Sequence, residues 1–356
     1  MKIDGSFLMF QYIILYCLNN LNGERSVANI YYLLKGKKST QTIQDSYLYN
    51  LTEFFGVYRS IARSNFNRVI DELAELNYIS ISGKAFATVN HEGQQNLAQL
   101  DSEFQNTYFK GMTYEKHAPQ FLATFILLIQ TVTNLHIKKS RFIPVIDNGS
   151  IQTNVKNFLQ NKPLDMSVLL RDIYDDLRQI FSTASFPDFS IDIFVDYLTS
   201  ANEIGLSQQQ IALKYNISKE DVHFHLFNII HYILEQMKLA PAKYKVLPYM
   251  SNQRQDLSLT DSAMVTYNYY GKGYSIKEIA GTRDLKESTV QDHIVEIAYV
   301  GEVKWSDHMS DEEYSMIKKA LVQTNTKQLK TLKELLPDFI TYFQIKLVIA
   351  LWHKND

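Results

Sequence analysis

The chain has 356 residues, 46% of them apolar, with 36 Lys and Arg against 38 Asp and Glu. Such a length can bury two or three hydrophobic cores. The charge is spread evenly: residues 1–100 carry 9 basic against 8 acidic side chains, residues 101–200 carry 9 against 11, and the rest 18 against 19. That balance excludes a tight, sequence-blind polycation for nucleic acid, so any phosphate contact must come from a local patch. Cys17 is the only cysteine, which excludes an intrachain disulfide and a cysteine zinc cluster.

The first element predicted is a buried helix over "FLMFQYIILYCL", Phe7 to Leu18. This run is too short to cross a bilayer, and no small-residue cleavage site follows it, so a cytoplasmic protein without membrane attachment is expected. Next, "RSVANIYYLLKGKKS" places Val27, Ile30 and Leu33/Leu34 on one helical face, ahead of a basic loop at Lys35, Lys37 and Lys38. A further helix is expected near "LTEFFGVYRSIA". Another is expected over "SNFNRVIDELAEL", with Ser64 as N-cap and Phe66, Val69/Ile70, Leu73 and Leu76 facing inward. "YISISGKAFATV" then alternates about Gly83-Lys84, a hairpin signal with glycine first in a type II′ turn. Helices followed by a hairpin give residues 1–100 the order of a winged helix; the alternative is a small α+β cap without a ligand.

Residues 101–200 read as a helical middle region. "PQFLATFILLIQTVTNL" is apolar almost all round, as a central core helix would be, while "IDNGSIQTN" reads as a loop.

Beyond residue 200 a pattern occurs twice. "GLSQQQIALKYNISKEDVHFHL", from Gly205, aligns without a gap to "GYSIKEIAGTRDLKESTVQDHI", from Gly273. Gly205/Gly273, Ser207/Ser275, Ile211/Ile279, Ala212/Ala280, Val222/Val290 and His225/His293 are identical pairs. Each copy opens with a capping box, Ser207-x-x-Gln210 or Ser275-x-x-Glu278. Alanine follows where two helices crossing steeply leave room for nothing larger. A second helix then buries Val222 or Val290 and, one turn on, Leu226 or Ile294. This is a helix-turn-helix layout, whose second helix can enter the DNA major groove. Residues 201–250 hold the first copy and residues 251–356 the second.

In the second copy Lys286, Ser288, Thr289 and Gln291 read as exposed and suited to phosphates or base edges, with Glu287 exposed beside them and Asp292 and Glu296 exposed and repelling the DNA backbone. The first copy would show Lys219, Glu220, Asp221, His223 and Asn228, or serve as a packing or protein-interaction module. His225 and His293 occupy equivalent positions near the core seam and read as structural, so no metal is expected. No Ser-His-Asp order, HExxH run or phosphate-cradling glycine loop occurs, so the chain reads as non-enzymatic, with no cofactor and no small-molecule substrate.

The stretch "LTDSAMVTYNYYGKGYSIKEIAGTRDLKESTVQDHI", followed by "SDEEYSMIKKAL" and "LKTLKELLPDFITYFQIKLVIAL", resembles the helicase-type helix-turn-helix domain at the C-terminus of some RecQ-family helicases. The N-terminal "LNGERSVANIYYLLKGKKSTQTIQD" resembles YpbB-like bacterial proteins that carry the same domain. The resemblance implies a mainly α, multi-domain chain with an N-terminal winged-helix-like unit and two C-terminal helix-turn-helix elements. It also implies DNA as ligand and a RecQ-family helicase as partner in repair or recombination, with a nucleoid-associated location when DNA is bound. Carried onto this sequence, Ser275 to Asp284 become the supporting helix and turn, and Glu287 to Ala298 the recognition helix. Arg283 stands where many such motifs place an apolar residue, and is expected to reach a phosphate. Lys35, Lys37, Lys38, Arg59, Arg63 and Arg68 are the expected phosphate contacts of the N-terminal unit. The helicase motor itself is missing from the chain, since no GxxxxGK[ST] occurs. A sequence-specific regulator and a protein-interaction scaffold remain the alternatives.

Overall fold

The computed structural model describes residues 9–83, 85–104, 107–160, 165–250, 259–324 and 328–352. Phe7 and Leu8 of the first apolar run and Lys84 of the hairpin lie outside them. The chain is mainly helical. It begins with α1 (Met9–Leu21), α2 (Val27–Leu34), α3 (Thr40–Leu48) and α4 (Arg63–Glu75), followed by strands β1 (Ile79–Ser82) and β2 (Phe86–Val89). Then come α5 (His91–Phe104), the single turn α6 (Gly111–Tyr114), α7 (His117–His136), α8 (Gly149–Gln160) and α9 (Met166–Phe181). The first copy supplies α10 (Asp188–Asp196), α11 (Gln208–Tyr215) and α12 (Lys219–Leu239). The second supplies α13 (Asp261–Tyr270), α14 (Ile276–Arg283) and α15 (Glu287–Val300), and α16 (Asp311–Thr324), α17 (Leu329–Glu334) and α18 (Tyr342–Trp352) close the chain.

Burial gathers the described residues into two cores. One takes side chains from α1–α5, both strands and α13–α18; the other takes α6–α12. The long α12 joins them, because Phe224 packs in the first core while Val222 and Leu226 pack in the second. α7 is the helix among the described residues long and apolar enough to cross a membrane. Here it packs against α8, α9 and α12 as a core helix.

Several local expectations are corrected. "LTEFFGVYRSIA" is not a helix but one 3-10 turn, Thr52–Phe54, and an irregular run. Its amides look elsewhere: Gly56 N–H donates to Leu33 O and Tyr58 N–H to Leu34 O, both 2.8 Å, using carbonyls at the end of α2. Two helices of the first hundred residues were not foreseen, α3 and α5; α3 is capped by Ser39 Oγ on Thr42 N–H. Its polar composition hid it, since few of its positions form an apolar stripe. Ser64 does not cap α4; Ala62 holds the N-cap position and Ser64 lies within the first turn. The hairpin is real, but Ser82 pairs with Phe86, so three residues separate the strands where a type II′ turn has two. Ser26 adds one bridge to Phe86, a rudimentary third strand. "IDNGSIQTN" is a loop only to its middle, because α8 starts at Gly149, with Asn148 Oδ1 accepting from Ser150 and Ile151 N–H.

Candidate nucleic-acid interface

Both copies fold alike where the sequence repeats. Ser207 and Ser275 cap α11 and α14, each with the reciprocal Gln210 or Glu278 bond in place. The tight turns run through Asn216 and Asp284, both left-handed, at φ 54°, ψ 43° and φ 51°, ψ 48°. Asn and Asp are the non-glycine residues that adopt this conformation most readily. Ile211/Ile279, Val222/Val290 and Leu226/Ile294 are buried in both units. The paired glycines serve different ends. Gly273 sits at φ +84°, whereas a Cβ on Gly205 would meet Tyr197 O at 2.5 Å.

The paired histidines are structural. His225 Nδ1 shares a hydrogen bond with Ser190 Oγ of α10 at 3.0 Å, and His293 Nδ1 shares one with Thr266 Oγ1 of α13 at 2.9 Å. Each copy is therefore a three-helix unit, whose first helix offers a hydroxyl to the histidine of the third. Burial pushes both rings below the ordinary histidine pKa. Among the described residues no three His, Cys, Asp or Glu side chains group as a metal would require.

The units differ in what covers the second helix of the motif. In the first copy it is closed. Glu220, Asp221, His223 and Asn228, read as exposed from sequence, are all buried. Glu220 accepts from Asn65 Nδ2 at 2.6 Å, Asp221 from Phe10 N–H at 2.9 Å, and Asn228 from Tyr108 N–H at 2.6 Å. His223 Nε2 donates to Val57 O at 2.8 Å, between the rings of Tyr58 and Phe227. This helix is the dock for the N-terminal unit.

In the second copy α15 is open at its N-terminal turn only. Lys286, Glu287 and Ser288 are exposed, Thr289, Gln291 and Asp292 are half-buried, and His293 to Ala298 are buried. α3 and α18 cover the later turns, with Tyr47 stacked on Tyr299 at 4.3 Å. Glu296 was expected at the surface, where it would repel phosphate. It is buried instead, accepting from Thr260 N–H and Oγ1. Desolvation by that burial raises its pKa. Asp292 is paired with Lys346 Nζ at 2.8 Å. The two acidic side chains that opposed a DNA reading are thus withdrawn or balanced.

Arg283 turns inward. Its guanidinium donates to Ser262 O at 2.9 Å, Ser262 Oγ at 3.0 Å and Thr266 Oγ1. It ties α14 to α13 and leads through Thr266 to His293. Sequence reasoning also passed over two exposed lysines, Lys272 in the turn after α13 and Lys277 in the first turn of α14. The first helix of such a motif crosses the DNA backbone, and a lysine in its first turn was the available signal.

The N-terminal cations sort into two groups. Lys38 Nζ lies 2.6 Å from Glu115, and Arg68 lies 3.0 Å from Glu72 and 3.9 Å from Glu220. Among the described residues Lys35, Lys37, Arg59 and Arg63 have no carboxylate partner within 4 Å. Lys35, Lys37 and Arg63 gather on two rings that the sequence reading left out, Tyr31 and Tyr32. The signal was there in "YYLLKGKK", rings within five residues of lysines.

Compared with known proteins, residues 262–349, from α13 into α18, match a helix-turn-helix domain family. Over 351 residues the chain is 29% identical to Protein YpbB of Bacillus subtilis (strain 168), covering 96% of this chain and 97% of that protein. No solved structure matches.

Proposed function

We propose that this chain is a non-enzymatic DNA-binding protein, and that it acts as an accessory factor beside a RecQ-family helicase in repair or recombination. The observation that carries DNA binding is the single open turn of α15. Ser288, Thr289, Gln291 and Lys286 stand at the N-terminal end of the motif's second helix, the end that meets base edges and phosphates in helix-turn-helix complexes. Glu296 and Asp292 no longer oppose this reading, and the helix-turn-helix family match over 262–349 supports it. Lys277, Lys286 and the unneutralised cations of the N-terminal unit supply phosphate charge from separate places on one chain. Two modest contacts on one body raise affinity by effective concentration, without a basic block. The helicase link rests on the resemblance of the C-terminal residues to the helicase-type domain, and the absence of a phosphate-binding loop motif leaves unwinding to the partner. In the cell the chain would lie in the cytoplasm, on the nucleoid when DNA is bound.

Titrating labelled duplex, forked and single-stranded DNA across a salt series tests this. Binding should weaken linearly in log K against log salt. Replacing Thr289→Asp together with Gln291→Glu should lower duplex affinity about tenfold while leaving helicity unchanged. Unaltered affinity would remove α15 from the interface.

A second reading, a surface for another protein, is favoured by the first copy. With its second helix closed, that unit still exposes Val195, Ile204 and Leu213, at 57%, 86% and 75%. Retention of a RecQ-family helicase by the full chain, and its loss on Leu213→Glu, would place the partner there.

A further inference from the structure

The N-terminal unit carries a cluster of rings and cations that the α15 reading does not use. Tyr31 and Tyr32, on α2, lie with ring centroids 5.7 Å apart. Lys37 Nζ stands 4.2 Å from the centre of Tyr32, Arg63 Cζ 4.6 Å from that of Tyr31, and Lys35 Nζ 5.6 Å from it. Tyr32 is 37% exposed. The backbone holds this arrangement. α2 ends in a Schellman motif, in which Gly36 N–H donates to Leu33 O at 2.9 Å and Lys37 N–H to Tyr32 O at 3.0 Å. Gly36 takes φ +64°, and a Cβ there would meet Gly56 Cα at 2.8 Å, so the turn that folds Lys37 back over Tyr32 requires glycine. Beneath, Tyr31 packs on the buried ring of Phe66 at 5.5 Å, fixing α4 and Arg63 against α2.

We infer that this cluster is a stacking platform for an unpaired base of a single-stranded nucleic acid, with Lys35, Lys37 and Arg63 holding the flanking phosphates. The inference rests on the reading that the chain binds nucleic acid, but not on α15. Every base has a π-face, so an exposed ring among cations takes single strands with little sequence preference. A paired base is already stacked and cannot use it. When a base arrives, the flexible Lys37 ammonium leaves the Tyr32 ring for a phosphate, exchanging a cation–π contact for a charge-assisted hydrogen bond. Lys38 and Arg68, on the same unit, are each already paired with carboxylates and stay outside the platform.

The test uses the full chain and two labelled oligonucleotides of about twelve nucleotides, one all-thymidine and one all-abasic with the same phosphates. The unmodified protein should bind the thymidine strand about 5- to 10-fold more tightly. Tyr32→Ala should abolish that preference and Tyr32→Trp retain it. Lys37→Gln should weaken both strands alike and reduce the salt slope by about 0.7. Equal affinity of the unmodified protein for the two strands, or a preference surviving Tyr32→Ala, would overturn the platform. The preference should also persist with Thr289→Asp and Gln291→Glu in place. Its loss there would assign the unpaired base to α15 and overturn the platform, whereas its persistence with unchanged duplex binding would sink the α15 reading alone.

Discussion

At the scale of single residues, the C-terminal unit turns on a relay of three side chains, Arg283, Thr266 and His293. The guanidinium holds two acceptors on Ser262 and one on Thr266, and the Thr266 hydroxyl meets the His293 ring. Arg283 thus positions α14 on α13, although from sequence it read as a phosphate contact. The two roles separate experimentally. Arg283→Ala should lower stability by about 1–2 kcal/mol, seen as a shift in the urea midpoint. It should leave the salt slope of duplex binding unchanged, because a lost phosphate contact would reduce that slope by about one. A reduced slope with unchanged stability would return Arg283 to the DNA surface.

At the scale of elements, the same two-helix unit appears twice and is used in two ways. One of the contacts by which α12 closes on the N-terminal unit is Asp221, whose carboxylate accepts from the buried Phe10 N–H of α1 and from Ser218 Oγ. Asp221→Ala would remove the buried acceptor of Phe10 N–H and should cost about 2–3 kcal/mol, measured by chemical denaturation. The paired glycines give a comparison internal to the chain. Gly273→Ala meets only backbone strain, about 1 kcal/mol, because nothing lies near its missing Cβ. Gly205→Ala should cost distinctly more, since its methyl would press on the Tyr197 carbonyl. Equal costs would mean that the connection before α11 yields as freely as the one before α14.

At the scale of the whole molecule, α12 carries buried ionisable groups where the two cores meet. Burial holds His223 down to about 4 and His225 and His231 to about 3, from an ordinary 6.5. They stay neutral in the fold, while the unfolded chain protonates them below about pH 6.5. Acidification through that range therefore favours unfolding, by about 1.4 kcal/mol per pH unit for each net proton. Asp221 acts with the opposite sign: burial raises it to about 6, so below that pH the folded chain takes up a proton that the unfolded chain binds only near 3.8. Three histidines outweigh one carboxylate. Burial also raises Asp45, Glu53 and Glu296, which join Asp221 on further acidification. The urea midpoint should fall clearly between about pH 7 and about pH 5.5. His225→Gln, which keeps a hydrogen-bonding group facing Ser190, should flatten the change. A midpoint independent of pH would contradict the buried neutral histidines.

Sequence by itself determined the local units: the capping boxes at Ser207 and Ser275, the apolar seam of each copy, the buried first helix and the hairpin. Their caps, helical periodicity and strand pairing are set within about twenty residues, so residue order is enough to state them. Tertiary structure decided which face of each unit stays open. Whether Glu220, Asp221 and Glu296 meet solvent depends on Asn65, Phe10 and Thr260, groups 155, 211 and 36 residues away. The same holds for the cations: Lys38 is neutralised by Glu115 from another part of the chain, while Lys37, its sequence neighbour, folds back on Tyr32. A charge becomes available to a ligand only when no carboxylate is brought beside it. That is settled by how helices distant in sequence pack, and α3, the helix hidden by its polar composition, is one of those that cover α15.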